Sequence, residues 1–385
     1  MRGVLTKDIV FVFLATLLFF SGFNLLMPTF PLYIASLGGS ERIVGLLGGL
    51  ITFAAVIQRP FLAKWSDRIG RRKLLLWSGF FAATGPLLYL LHDAFWYLFL
   101  ARTYHALSLG GYIVASQTLL IDLAPASKRG TVMGWYGVMG GLSMAVFPAV
   151  GFAIIEHWGY GWLFAVGALL SVGIILAGLP IREPAVSPAR AEDGPPTKVR
   201  MRGPLLLSAL AIASITAVLG AVNAFLPLYG IHLGVGNVGI YFTVLALLHM
   251  VGGMVSGDLS DRIGRFPVAL PSFLLVATGM GILPMASLSG GAGYVLFLTS
   301  AALVGMGVSS VGAVMLAHAM DLVETQHRSQ VVAHLNNAFD LGLSAGAMAL
   351  GPVAAISFSI LWLILAGSAL AGFVMTLVQR RQHPV

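Results

Sequence analysis

Two sets of polar side chains stand out in a chain with very little polarity. His334, Asn337, Asp340 and Ser344 recur at spacings of three and four, which places them along one face of a helix. Asp340 is the only carboxylate set deep in an apolar run, about three residues from the middle of its segment, or roughly 5 Å in depth. An acid at that depth is protonated unless a cation lies beside it. Asp340 is therefore the leading candidate to carry a proton or hold a cationic substrate, and a static ion pair is the plain alternative. Arg102, His105, Tyr112 and Ser116 form a second face of the same kind. An arginine in hydrocarbon costs about 2.5–3.5 kcal/mol on insertion scales, so Arg102 needs either a cavity or a partner. Arg102 and His105 join Asp340 as proton-coupling candidates, against the alternative of an arginine bonded to nearby carbonyls.

These residues need long apolar elements to carry them. Only 9% of the 385 residues are charged and 58% are apolar; a typical soluble protein is about 25% charged. Apolar runs near or above the spanning length of about 18 residues recur along the chain. They lie at 8–34, 42–63, 73–91, 95–121, 131–155, 161–179, 204–228, 238–257, 267–288, 293–319, 330–357 and 359–378. The expected fold is an all-α integral membrane protein of twelve transmembrane helices. The first run is too long for a signal-peptide core and reads as a span. The segment 181–203, rich in proline and charge, reads as a cytoplasmic linker. It separates an N-terminal bundle of six helices (1–180) from a C-terminal bundle of six (204–385).

The net charge of +8 does not point to nucleic acid. The cations gather in short loops on alternate sides of the apolar runs, as the positive-inside bias requires. Lys64, Arg68, Arg71, Arg72, Lys73, Lys128, Arg129, Arg262, Arg265, Arg328, Arg380 and Arg381 all fall on one side, and Arg42 on the other. That side is the cytoplasmic one, with both termini on it, in a multi-pass protein of the cell's inner (cytoplasmic) membrane. Cysteine is absent, which excludes thiolate metal sites and cysteine nucleophiles. No P-loop, metal-ligand cluster or nucleophile elbow is visible. The sequence therefore gives no reason to expect a metal, a cofactor, enzymatic activity or an ATP-driven pump.

The halves repeat. Ser-Asp-Arg-Ile-Gly-Arg occurs at 66–71 and again at 260–265, each time after the second apolar run of a half. Pro31–Gly38 and Pro227–Gly234 also correspond, and Asp122 and Arg129 bracket one loop as Asp321 and Arg328 bracket another. Landmarks repeated in the same order mark a duplicated six-helix unit. Gly70 and Gly264 permit tight backbone geometry. The flanking arginines are suited to carboxylates or lipid phosphates.

This pattern resembles the major facilitator superfamily of secondary transporters, and the resemblance covers essentially the whole chain. It rests on the two halves, the central linker and the loops Asp67-Arg68-Ile69-Gly70-Arg71-Arg72 and Asp261-Arg262-Ile263-Gly264-Arg265. Ala63 replaces the family's leading glycine in the first loop, and Phe266 replaces its second cation in the second. The resemblance implies two pseudo-symmetric bundles around a central cavity, with the loops acting as a cytoplasmic gate. Asp67 would meet the start of span 11, and Asp261 the start of span 5. Spans 1, 4, 7 and 10 line the cavity in the family. That makes Asn24, Tyr112 and Asn223 substrate-cavity candidates, joined by Asn337 on the Asp340 face of span 11, although a helix–helix hydrogen bond accounts for Asn24 and Asn223 as well. Span 5 keeps Gly134, Pro148 and Gly151 of an exporter pattern, while Ser143, Phe147 and Phe152 replace three of its glycines. Close helix packing explains such glycines too, as at Gly137/Gly141 and Gly342/Gly346.

The expected function is secondary active transport of a small, amphipathic or hydrophobic molecule by alternating access, as proton-coupled efflux. The expected partners are the substrate, protons and the lipid bilayer, with the protein a monomer. An importer or facilitator of a sugar or other metabolite keeps the same fold. A non-transporting membrane receptor or a membrane enzyme is the reading from another class.

Overall fold

The computed structural model describes residues 5–183, 201–287, 292–324 and 327–382. Most of the expected linker (184–200) and the end of the ninth apolar run lie outside them. All regular structure among these residues is helical. The helices are α1 (Lys7–Leu26), α2 (Phe30–Ser36), α3 (Glu41–Ile69), α4 (Arg71–Leu88), α5 (Phe95–Leu123), α6 (Arg129–Gly178), α7 (Pro204–His232), α8 (Gly239–Ile263), α9 (Arg265–Ala286), α10 (Gly293–Asp321), α11 (Arg328–Met348), α12 (Gly351–Ala354) and α13 (Phe358–Gln382). Helices are required because only they satisfy backbone N–H and C=O groups within one spanning segment.

Nine segments among the described residues are long and apolar enough to cross a membrane. Two of the longer helices fall short of that measure for visible reasons. The 18 residues of α4 open with Arg71, Arg72 and Lys73, and α11 carries His334, Asn336, Asn337 and Asp340. The fifty residues of α6 are two helices joined at Gly159, whose φ of 83° and ψ of −179° break the helical path. Local signals explain several ends. Thr6 caps α1 by accepting from the Ile9 N–H at 3.4 Å, with Asp8 in the first turn. Pro204 opens α7, where its missing N–H costs no hydrogen bond.

The boundaries differ from the sequence expectation at several spans. The second and eighth spans run on to Ile69 and Ile263 instead of ending near residues 63 and 257. Charge there marks the membrane edge, not the end of the helix. The first span breaks after Leu26 and resumes at Phe30, around Pro28. The eleventh ends at Met348, with α12 starting at Gly351 and Pro352.

The described residues form two compact units: those of 1–39 and 50–187, and those of 40–49 and 188–385. In the first, α1 packs along α6, and α4 packs on α5 and α6. In the second, α7 packs along α11, and α9 packs on α10 and α13. The same plan of contacts thus occurs in each unit. Residues 40–49, the first turns of α3, group with the second unit because small residues allow close approach there. A Cβ at Gly45 would stand 2.9 Å from the Phe225 ring.

Large apolar side chains cover the outside. Phe61, Leu91 and Leu169 are each 70% exposed, a surface suited to lipid and not to water. Trp96, Trp158 and Trp162 are also exposed. They stand at helix ends on the same side by alternation, where aromatic rings favour the membrane–water interface.

Small residues set the α7–α11 contact. A Cβ at Gly342 would collide with the Ala213 carbonyl, one at Gly346 with Ala217, and one at Gly220 with Leu343. The packing role expected of Gly342 and Gly346 is met. Gly137 differs, because a Cβ there would meet open space. Two predictions follow from this geometry. Gly346→Val should destabilise the protein by at least about 1–3 kcal/mol through overpacking, seen as a lower Tm in detergent. Gly281→Ala, which faces open space, should leave Tm unchanged or slightly raised. The second prediction concerns Gly70 (φ 97°, ψ 152°) and Gly264 (φ 95°, ψ 163°), a conformation essentially confined to glycine. Alanine at either should cost about 1–3 kcal/mol. Gly70→Ala should be the worse, because its Cβ would lie 3.0 Å from the Glu183 carboxylate, whereas at Gly264 the nearest atom is Pro267 Cδ at 3.7 Å. Equal, negligible Tm shifts would contradict this account.

Candidate functional site

Each Ser-Asp-Arg-Ile-Gly-Arg copy closes one helix and opens the next. Ser66 to Ile69 complete α3, Gly70 makes the turn, and Arg71 starts α4. Ser260 to Ile263 complete α8, Gly264 makes the turn, and Arg265 starts α9. The expected loop is therefore a single residue. Asp67, Arg68, Asp261 and Arg262 are exposed at the helix ends, while Ser66 and Ser260 are buried.

The arginine after each glycine turns back into its own unit. Arg71 Nε lies 2.7 Å from Asp122 Oδ2, near the end of α5. Arg265 Nε donates to Asp321 Oδ2 at 3.0 Å, at the end of α10. The recurrence of Asp122 and Asp321 in the sequence was a signal for this pairing. The first pair is better shielded, with side chains 8% and 24% exposed against 22% and 52% for the second, so solvent screens it less. Arg265 also donates to Ser260 Oγ at 2.9 Å and pairs with Asp261.

The copies diverge one residue later. Arg72 donates to the carbonyls of Gly178 at 3.3 Å and Leu179 at 2.6 Å. Phe266 instead is buried edge-on against His318, ring centres 4.9 Å apart. Glu183, which the sequence gave no reason to single out, accepts from the N–H groups of Arg71 at 2.7 Å and Arg72 at 2.9 Å. A carboxylate at the first N–H groups of a helix satisfies orphan donors and favours the dipole.

Arg102 is 1% exposed and stacks over Phe30 with its guanidinium carbon 4.0 Å from the ring centre. Its Nη1 donates to Tyr89 Oη at 3.3 Å, and that oxygen lies 2.7 Å from His105 Nδ1. Of the two alternatives open in the sequence, a cavity or a partner, this structure provides the partner. A desolvated cation–π contact is worth about 2 kcal/mol or more, comparable to the insertion cost. Tyr89, missed in the sequence because it lies at the end of the preceding helix, joins Arg102 to His105.

Tyr112 is fully buried. Its hydroxyl is 3.0 Å from Thr16 Oγ1, and its ring lies flat on Phe19 with centres 4.1 Å apart. Ser116 donates to the Tyr112 carbonyl at 2.6 Å. Asn24 is half-buried and donates to Ser143 Oγ at 2.9 Å, and Asn223 donates to the Leu219 carbonyl at 2.8 Å. Ser143, one of the residues that breaks the exporter pattern, thus has a specific partner. Gly151 lies where a Cβ would be 2.8 Å from the Leu25 carbonyl, beside buried Pro148, while Gly134 faces open space.

On α11, Asn337 and Asp340 are half-buried, Ser344 is buried and His334 is exposed. Ser344 donates to the Asp340 carbonyl at 2.8 Å. Asp340 lies two residues past the middle of this helix. Arg102 and His105 belong to the first unit and Asp340 to the second. Among the described residues no group of three or more histidine, aspartate or glutamate side chains is placed to hold a metal.

Comparison with known proteins agrees with this architecture. The profile of the Major Facilitator Superfamily matches residues 12–347 and 235–385. The staphylopine export protein of Staphylococcus aureus strain Mu50 is 22% identical, over 99% of this chain and 98% of its own. The multidrug resistance protein MdtG of Salmonella paratyphi A is 28% identical over 72% of each chain. Among solved structures, the nucleoside transporter NupG superposes with a TM-score of 0.78 at 14% identity, covering 96% of this chain and 99% of its own. At that identity the likeness concerns the fold alone. The chain belongs to the Major Facilitator Superfamily: it is a multi-pass membrane transporter and not an enzyme.

Proposed function

We propose that the protein exports a small amphipathic or hydrophobic molecule across the cytoplasmic membrane, driven by protons. The observation that carries this reading is the doubled helix–glycine–helix turn, with an arginine drawn back onto an aspartate in each unit. Its support for efflux comes from the relatives: proteins named for staphylopine export and for multidrug resistance align over 99% and 72% of this chain.

In this reading twelve helices cross the membrane, with α6 counted as two at Gly159, and both termini are cytoplasmic. They form two six-helix bundles around a central cavity in a protein that acts as a monomer. The bundles rock so that the cavity opens to each side in turn. The turns at Gly70 and Gly264 act as latches. Arg71 and Arg265, held by their own aspartates, keep each turn in shape, and Asp67 and Asp261 make the contact that breaks on inward opening. Asp340 takes up the proton, with Arg102 and His105 as further coupling candidates. Asn24, Tyr112, Asn223 and Asn337 meet the substrate. The driving force is ample, at about 1.4 kcal/mol per pH unit and about 2.3 kcal/mol per charge for each 100 mV.

Three experiments test it. In inverted vesicles an acid interior should drive substrate accumulation, and a protonophore should abolish it. Asp340→Asn should abolish that accumulation while leaving substrate exchange measurable. A mutant that still concentrates substrate after a pH step would remove Asp340 from the coupling role. Asp67→Asn should reduce transport several-fold and change equilibrium substrate affinity less than about twofold. A large loss of affinity would count against a latch. Single cysteines replacing Ser40 and Lys128 in this cysteine-free chain should label from outside and from inside respectively.

A further inference from the structure

The second unit contains a cavity of about 240 Å³ between α7, α8, α10 and α11. Ile212, Val308, Leu335 and Phe339 make its walls apolar, and His249 and Asn336 add polar groups. A cavity of about 150 Å³ with such walls holds benzene, and drug-sized ligands need about 300–1,000 Å³. This one therefore suits a single ring with a short substituent. A Cβ on Gly312 would meet nothing within 4 Å, so the wall of α10 is open at that point.

His249 gives the cavity a direction. Its Nδ1 is sealed from solvent and has no hydrogen-bond partner among the described residues, which leaves Nε2 as the nitrogen that meets the cavity. A neutral imidazole carries its hydrogen on one nitrogen only. A buried N–H without an acceptor is rarer and costlier than an unused lone pair, so the hydrogen belongs on Nε2. The other nearby hydroxyl is already committed, since Ser309 donates to the Gly305 and Met306 carbonyls, each at 3.1 Å. Asn336 stands at the exposed edge. The cavity thus offers a donor from within apolar walls and calls for an acceptor.

We infer that this cavity binds a planar, apolar carbonyl group of the cargo, with the carbonyl oxygen accepting a hydrogen bond from His249 Nε2. The inference deepens the transport reading and rests on it for the ligand's role as cargo. Neither Asp340 nor the glycine turns take part in it.

The test uses two probes of one shape, acetophenone and α-methylstyrene, the second having a methylene in place of the carbonyl oxygen. Ala313→Cys, also in the lining, becomes the only cysteine of the full-length protein in detergent. Each probe is titrated for its ability to slow maleimide labelling at that position. Both probes should protect. In the added presence of His249→Leu, the ratio of the two half-protection concentrations should move about fivefold toward α-methylstyrene, the scale of one neutral hydrogen bond. His249→Gln, which keeps a donor, should restore most of the ratio. Gly312→Val should remove protection by both probes by filling the space. Protection by neither probe in the parent would overturn the site. An unmoved ratio in His249→Leu would overturn the role of the histidine. Because α-methylstyrene still reports on the pocket in that variant, a folding defect is recognised separately. Proton-driven efflux in vesicles is measured alongside. Loss of efflux with a shifted ratio supports the pocket, and intact efflux without protection overturns the pocket alone.

Discussion

Between α3 and α4, and again between α8 and α9, the chain reverses at one residue. A reversal that short requires a backbone conformation that a side chain does not tolerate. Gly70 and Gly264 supply it, with φ near 95° and extended ψ. Much of the rest follows from that constraint. The turn leaves the first N–H groups of the next helix unpaired, and in the first unit Glu183 fills them. The turn also places an arginine at the head of the next helix, aimed at an aspartate at the far end of another. Three helices of each unit are thereby tied together at one end by a glycine and an ion pair.

The sequence showed this frame clearly and its joints poorly. Long apolar runs, alternation of cations and the repeated hexapeptide were enough for the helices, the repeat and the family. They were not enough to end α3. Ser66, Asp67 and Arg68 look like loop residues because they are polar, yet they are helical. In a membrane protein, polarity marks the depth at which lipid stops, and the helix stops only where the backbone forces it, here at Gly70. The same distinction explains α11. His334, Asn336, Asn337 and Asp340 lower its apolarity below that of a typical span, but nothing in that run breaks a helix. Among the site residues, Arg102, His105, Tyr112 and Ser116 share one buried face of α5, as their spacing requires, whereas on α11 His334 is exposed and Ser344 buried. What Arg102 touches was not legible in the sequence, because Tyr89 and Phe30 come from other helices and no local pattern connects them.

The duplicated frame holds unlike contents. Arg102 and Ser300 occupy the same register, each the eighth residue of a twenty-nine-residue helix. In the first unit that position carries a stacked cation bonded to Tyr89, and in the second a serine 3.2 Å from the Tyr241 hydroxyl. Tyr112 and Ser310 correspond in the same way. One is a large ring bonded to Thr16, and the other is a small hydroxyl donating to the Gly252 carbonyl at 3.2 Å. In each case a polar group joins two helices, so the partner-seeking role persists while its size and charge change.

That combination fits a transporter better than either feature would alone. Matched turns with matched ion pairs give the two units the same joint at one end of three helices. Matched interiors would bind alike on both sides of a repeat and give no direction to the chemistry. In this chain the first unit fills its interior with aromatic rings and a buried arginine, close-packed around Tyr89 and Phe164. The second closes α7 on α11 through glycines and keeps open a cavity bordered by His249. Aromatic packing fills the one, and the other keeps space beside a histidine. The two units thus share a frame of turns and ion pairs and differ in what that frame encloses.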